Sequence, residues 1–238
     1  MKIKVLTLAL LFVSSVGVTA PNESFNKART MMMEVYFDHQ ETIYCGAQFD
    51  SKKAITLPEG YASTKYIKRS NIVEAEHVVN ATDFGESFRE WSDGSPLCID
   101  YKGQEYRGRR CANKASREYR LMQADLYNLY PAIGSVNALR SNYNFTLLPD
   151  EESDFGSCQM KIANRKAEPP ISARGRIART YLYMEQTYDR YSMSKNQRKL
   201  MLAWNKMHPI SEWECERASR IEAIQGNKNL LLSKCEKL

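Results

Sequence analysis

The sequence predicts a helix-rich α+β fold in one disulfide-bonded domain, and three observations carry that expectation. The last third repeats apolar residues at helical spacing between capping signals, residues 42–80 are rich in β-branched and aromatic residues, and six cysteines follow an apolar leader. The leader is residues 1–20. Lys2 and Lys4 precede the apolar run Val5–Val13, and small residues close it at Ala20. This is the layout of a secretory signal peptide, too short and wrongly flanked for a stable membrane helix. Pro21 is unfavourable directly after a cleavage point, so a cut at Ala20, a cut at another nearby position and retention as an anchor all stay open. Residues 21–238 form the mature domain. No later run is long and apolar enough to span a bilayer.

The mature chain opens with a helix over 24–41, with Ser24 as N-cap and Phe25, Ala28, Met32 and Tyr36 near helical spacing. Residues 42–80 read as strands broken at Pro58, Glu59 and Gly60, with Ile72–Val79 the clearest. A polar loop runs from Thr82 to Arg110. Leu121, Met122, Leu126 and Leu129 place a helix over 114–129, stopped by Pro131. After a loop at Asp150–Gly156, the helix 172–190 carries the stripe Ile177, Tyr181, Met184, with Arg176 and Arg179 on the opposite side. The helix 195–207 begins at Ser194 and Gln197 and buries Leu200, Ala203, Trp204 and Met207. The helix 212–225 begins at Ser211 and Glu214, a capping-box spacing, and ends at Gly226.

Composition bounds function only loosely. Hydrophobic residues make up 43% and charged residues 26%, which excludes a disordered chain. Two lysines and no acids leave with residues 1–20, so the formal charge of +6 becomes +4. A mildly basic protein is compatible with a polyanionic partner without requiring one. Cys45, Cys98, Cys111, Cys158, Cys215 and Cys235 all lie in the mature chain, an even number suited to an oxidising compartment. None forms a C-x-x-C pair, against a zinc knuckle. They admit many connectivities; Cys98 and Cys111, flanking a short Gly-containing loop, are the expected local pair.

Few side chains serve as a general base near neutral pH, and only His39, His77 and His208 are histidines. His39 and His208 fall at helix ends, where a cap or surface role is the ordinary one. His77 ends the segment Glu74-Ala75-Glu76-His77-Val78-Val79. On its own a Glu-His pair in a strand says little. A second segment, Asp125-Leu126-Tyr127-Asn128-Leu129-Tyr130-Pro131 followed by Val136-Asn137, raises its weight.

With those segments, and with Arg140-Ser141-Asn142-Tyr143, Glu168-Pro169-Pro170, Arg174-Gly175, Ala203-Trp204-Asn205-Lys206-Met207, Trp213-Glu214-Cys215-Glu216-Arg217 and Gln225-Gly226-Asn227, the chain resembles the bacterial endonuclease I family over about 24–235. The resemblance implies a ββα-metal nuclease site, with Glu76 and Asn128 holding one Mg²⁺ and His77 as general base. It also implies periplasmic or secreted location and a monomer. The substrate would be DNA, with RNA as a further one, cut with little sequence preference to leave 5′-phosphate and 3′-hydroxyl ends. A carboxylate and an amide oxygen are hard donors of the kind Mg²⁺ takes. Arg109, in Tyr106-Arg107-Gly108-Arg109-Arg110-Cys111, is the candidate phosphate clamp, although the sequence does not choose among these three arginines. Arg174 is a lesser substrate-binding candidate. Trp204, Trp213, Tyr181 and Tyr183 read as packing residues rather than base-stacking platforms.

Adjacent residues in a regular strand face opposite sides, so the strand must end, bulge or twist at Glu76-His77 for both to serve one site. The chain departs from the family pattern at Ala75 and Asn80, where Trp and Pro are common, and looser packing behind the site is expected there. Ala47 and Glu59 stand where a further cysteine pair is common, leaving three bridges. Ser135 and Leu139 replace acids expected near the site. These departures also fit a protein of this fold that binds nucleic acid or another polyanion without efficient cleavage.

Overall fold

In the computed structural model residues 21–237 are described; the leader read at 1–20 lies outside them. The first helix, α1 (Phe25–Val35), is capped by the Ser24 side chain, which accepts from the Lys27 amide at 3.3 Å. It ends well short of residue 41. The strand-rich reading of 42–80 resolves into β1 (Gln48–Phe49), β2 (Ile55–Thr56) and β3 (Val73–His77), with a 3₁₀ turn at Ile67–Asn71. The expected loop 82–110 holds two short helices, α2 (Ala81–Gly85) and α3 (Arg89–Ser92), and α4 (Arg109–Ala115) starts at its end.

The helix expected over 114–129 is broken twice. Ser116 closes α4 and caps α5 (Arg117–Gln123), its hydroxyl accepting from the Tyr119 amide. Asp125 then accepts from the Tyr127 amide and turns Leu126–Asn128 into a 3₁₀ turn. Pro131 stops no helix; it lies inside β4 (Leu129–Ile133). Its carbonyl accepts from the Ile43 amide, away from β3, so its missing N–H removes no bond from the β3–β4 pair.

β3 and β4 pair antiparallel, Glu76 opposite Tyr130 and His77 opposite Leu129. α6 (Gly134–Arg140) follows β4 directly, so β3, β4 and α6 form a ββα unit with residues 78–128 inserted between its strands. Gly134 makes the last turn possible: a Cβ there would meet the Arg69 carbonyl at 2.5 Å. β5 (Asn144–Phe145), β6 (Lys161–Ala163) and β7 (Lys166–Glu168) form a small separate sheet in the order β5-β7-β6.

The C-terminal helices follow the sequence closely. α7 (Ile171–Thr187) buries Ile177, Tyr181 and Met184 completely. The side opposite that stripe is covered at Arg179, which is buried against Glu214 at 2.6 Å. α8 (Lys195–Met207) is capped by Ser194 but buries only Met201 and Trp204, and Met207 is exposed. α9 (Glu212–Gln225) has the full Ser211–Glu214 capping box and ends at Gly226 with φ +82°. The core joins α1, the ββα unit, α5 and α7 around Tyr127, Tyr181, Tyr183, Met122 and Phe84. The fold is α+β, closed by Cys45–Cys158, Cys98–Cys111 and Cys215–Cys235.

Candidate active site

The polar end of β3 holds one of the buried charge pairs of the fold. Glu76 is 2% exposed, Arg140 of α6 1%, and the Arg140 guanidinium donates to Glu76 Oε1 at 2.9 Å. The Tyr44 hydroxyl donates to the same oxygen at 2.5 Å. Among the described residues no hydrogen bond reaches Glu76 Oε2. Burial pushes the Glu76 carboxyl up from its ordinary value, against the pull of Arg140 and of the Tyr44 hydroxyl.

Arg140 also shapes the chain leaving the strand, donating to the carbonyls of His77 and Val78 at 2.7 Å each. From the other side Asn128 grips Val79, its Oδ1 accepting from the Val79 amide at 2.7 Å and its Nδ2 donating to the Val79 carbonyl at 2.9 Å. β3 therefore stops at His77, and Glu76 and His77 line the same cavity despite being neighbours. That is how the strand-alternation conflict is removed.

This cavity has a volume of about 450 Å³, and its polar wall includes Glu76, His77, Asn80, Arg109, Asn137 and Arg140. The His77 ring stacks on Phe25 with centroids 4.9 Å apart and meets Phe84 edge-on. Its Nε2 lies 2.8 Å from the Gln123 carbonyl. A carbonyl only accepts, so Nε2 carries the proton and Nδ1 keeps the lone pair. Burial first, then the charges of Arg109 and Arg140, hold the imidazole down to about 3, so it is neutral at physiological pH.

The structure does not bring every expected residue to this place. Asn128 is fully buried with both ends of its amide bound to Val79, and it does not line the cavity. Asn80, Asn142 and Asn137 line it instead; Asn80 is committed to the α2 cap, and Asn137 lies on α6. Its Nδ2 donates to Glu74 Oε2 at 2.9 Å, and no hydrogen bond among the described residues occupies its Oδ1. Sequence reading passed over Asn137 although the Gly134-x-x-Asn137 spacing after a strand held the signal. Arg109 lines the cavity and lies over the Phe25 ring at 5.6 Å, whereas Arg107 and Arg110 do not line it. Arg174 lies elsewhere, bound to Glu168 at 2.5 Å and over Trp204, which leaves it committed to packing α7.

The departures from the family pattern have local explanations. Asn80 is 4% exposed and caps α2 through two amides, so no looseness appears at that position. Ser135 is buried against Ser70 and Tyr61, and neither it nor Leu139 lines the cavity. His208 ends α8, and His39 stacks on Trp213. A larger cavity of about 800 Å³ lies beside Cys215–Cys235, but no histidine or arginine lines it. Chemistry, not size, singles out the smaller one.

Among the described residues no group of three or more acids, histidines or cysteines could hold a metal ion. A transition-metal cage is thus not what this cavity offers. Hard oxygens of this lining that accept no hydrogen bond among the described residues, Glu76 Oε2 and Asn137 Oδ1 among them, suit a cation that keeps most of its water, as Mg²⁺ does.

Comparison with known proteins gives the same direction. The family model described as Endonuclease I matches residues 22–236. An extracellular deoxyribonuclease of Aeromonas hydrophila is 37% identical over 219 residues, covering 89% of this chain and 90% of the relative. A periplasmic deoxyribonuclease of the same organism is 35% identical over 237 residues, covering 96% and 94%. Endonuclease-1 of Buchnera aphidicola subsp. Baizongia pistaciae is 36% identical over 227 residues, covering 91% and 86%.

Proposed function

Because this chain belongs to the endonuclease I family, we propose that it is an exported endonuclease that hydrolyses phosphodiester bonds of DNA, and of RNA, with a divalent metal. The observation that carries this reading is the single cavity shared by a neutral, oriented histidine, a carboxylate oxygen and an amide oxygen left over by the protein, and an exposed arginine. Its place of action is the periplasm or the medium, in keeping with the relatives' names and the three disulfides. No helix among the described residues is long and apolar enough to cross a membrane.

His77 acts as general base. Gln123 holds Nε2–H, and Nδ1 takes the proton of the attacking water, for which a neutral ring is required. Arg109 pairs with phosphate oxygens, its guanidinium matching their geometry. Glu76 and Asn137 hold one Mg²⁺, with Asn137 in the place first expected of Asn128. When bound, the ion supplies charge to the phosphate and to the leaving oxygen. Arg140 and Tyr44 aim the Glu76 carboxyl and pull its pKa down against the upward push of burial. Asn128 keeps the end of β3 in position. The water oxygen bonds to phosphorus as the bond from phosphorus to the 3′-oxygen breaks, and the leaving 3′-oxygen takes a proton from solvent water, giving a 5′-phosphate and a 3′-hydroxyl. Low sequence preference follows because contacts to phosphate position a strand without reading bases.

Plasmid nicking tests the reading. Oxidised protein should nick supercoiled DNA with Mg²⁺ and stop with chelator. His77→Ala should lose ~10²–10⁴-fold in rate while melting as a folded protein. Undiminished nicking by that variant would remove the proposed base.

A further inference from the structure

The cavity holding His77 does not end at Arg109. Phe25 and Arg109 also line a second concavity of about 660 Å³, walled further by Arg110, Asn113, Arg120 and Gln123. Gln123 joins the two, since its carbonyl receives His77 Nε2 and its residue lines the second. From 109 to 120 the chain carries Arg109, Arg110, Lys114, Arg117 and Arg120 against a single acid, Glu118. Arg190 takes that acid at 3.2 Å.

The carboxylate that faces this basic wall comes from the start of the mature chain. Glu23 accepts from Arg117 Nε at 2.7 Å and from Arg120 Nε at 3.0 Å, on different oxygens. Arg120 has independent support: its third nitrogen donates to the Asn113 and Lys114 carbonyls at 3.3 Å each. The guanidinium is therefore held whether or not Glu23 is present. The Glu23 and Arg120 side chains are 32% and 28% exposed, so solvent reaches the pair. Two guanidinium groups around one two-oxygen anion is the arrangement with which arginines also take a phosphate. An ion pair this open to water is weak enough to exchange.

We propose that Arg120, with Arg117 beside it, is a second phosphate subsite for the strand cut at His77, and that Glu23 occupies it in the free protein as an internal competitor. The inference rests on the nuclease reading, because that reading makes a nucleic-acid strand the ligand. A strand passing through the first cavity continues past Arg109 and Phe25 into the second, where its next phosphates meet Arg110 and Arg120. Glu23 must then give up at least one guanidinium. The Glu23 carboxylate thus sets how tightly a long strand is held, without touching the reacting atoms.

Binding of a fluorescent DNA duplex of about 20 base pairs, measured by anisotropy across a salt series with chelator present, tests this without cleavage. Glu23→Gln should bind about three- to tenfold tighter at low salt, with a log K against log salt slope steeper by about one. Arg120→Gln should bind more weakly, with a slope shallower by about one. Glu216→Gln removes the same charge from a pair with Arg220 on α9 and serves as the charge-matched control. Its slope should stay at the wild-type value. Equal tightening by Glu23→Gln and Glu216→Gln would reduce the effect to net charge and overturn the subsite. A wild-type slope in a folded Arg120→Gln protein would do the same. Wild-type protein that binds the duplex but never nicks plasmid with Mg²⁺ would instead sink the nuclease reading.

Discussion

Among the described residues two arginine–glutamate pairs are buried on both sides, and they do opposite things with the same groups. In the pair between α7 and α9, Arg179 donates to both oxygens of Glu214, at 2.7 and 2.6 Å, and its remaining nitrogen reaches Asn205 and the His208 carbonyl. Glu214 also accepts from the Ser211 amide as part of the helix cap. Every charge is used inside the fold. In the pair at the end of β3, Arg140 and Tyr44 both converge on Glu76 Oε1, and Oε2 is left toward a cavity. A buried ion pair is costly to desolvate, so satisfying only half of a carboxylate makes sense where another cation completes it. The difference teaches how to tell a structural pair from a functional one: count the oxygens left over.

Substitution should split the two pairs cleanly. Glu76→Gln should remove about 10²-fold or more of the nicking rate, as expected when metal charge stabilisation is lost. Glu214→Gln should instead lower stability by about 3–5 kcal/mol, the usual cost of stranding one buried partner, while the folded fraction still cuts. Comparable loss of activity per folded molecule in both variants would erase the distinction. Denaturant midpoints beside single-turnover rates decide it.

The disulfides sharpen the same contrast. Cys45–Cys158 closes a span of 113 residues next to Tyr44, whereas Cys215–Cys235 closes 20 residues at the far end. Replacing the first pair by serine should cost about 2–5 kcal/mol and depress activity by freeing Tyr44, and the second should cost less because its loop is shorter. Activity retained after full reduction would contradict this placement.

His77 adds a pH dependence to the β3 end of this comparison. Its folded-state value is held to about 3, below the ordinary histidine value of 6.5. Between those limits the unfolded chain binds a proton that the folded chain refuses, so this group's stabilising effect fades as pH falls through that window. The slope is at most about 1.4 kcal/mol per pH unit. Urea midpoints at successive pH values should fall less steeply in His77→Phe than in wild type; parallel curves would remove this origin.

How much of this was legible in sequence depends on whether the deciding contact was local. Ser24, Ser194, the Ser211–Glu214 box and Gly226 were readable because a cap meets its partner within a few residues. The 114–129 helix was not, because Leu126 and Leu129 keep helical spacing while serving a 3₁₀ turn and a buried strand. Pro131 misled for a related reason: it marks a strand position whose polar groups face Ile43, a partner far away in sequence. By spacing Arg179 falls opposite the apolar stripe, but nothing local announces that Glu214 buries that side. At the site, Glu76, His77 and Arg109, the candidates expected from the sequence, share one cavity. Asn128 and Asn137 are both amides near a helix, and only long-range pairing shows which one grips Val79 and which one opens toward the cavity.

The central claim is that the cavity between β3 and α6 holds the ion that drives cleavage, so Mg²⁺ titration of nicking by Asn137→Ala and Asn128→Ala tests it most directly. The account predicts that Asn137→Ala needs about tenfold or more Mg²⁺ at near-wild-type stability. Asn128→Ala should lose about 1–3 kcal/mol of stability with the wild-type Mg²⁺ midpoint, since it leaves buried Val79 groups unpaired. A shifted midpoint in Asn128→Ala together with an unshifted one in Asn137→Ala would contradict it.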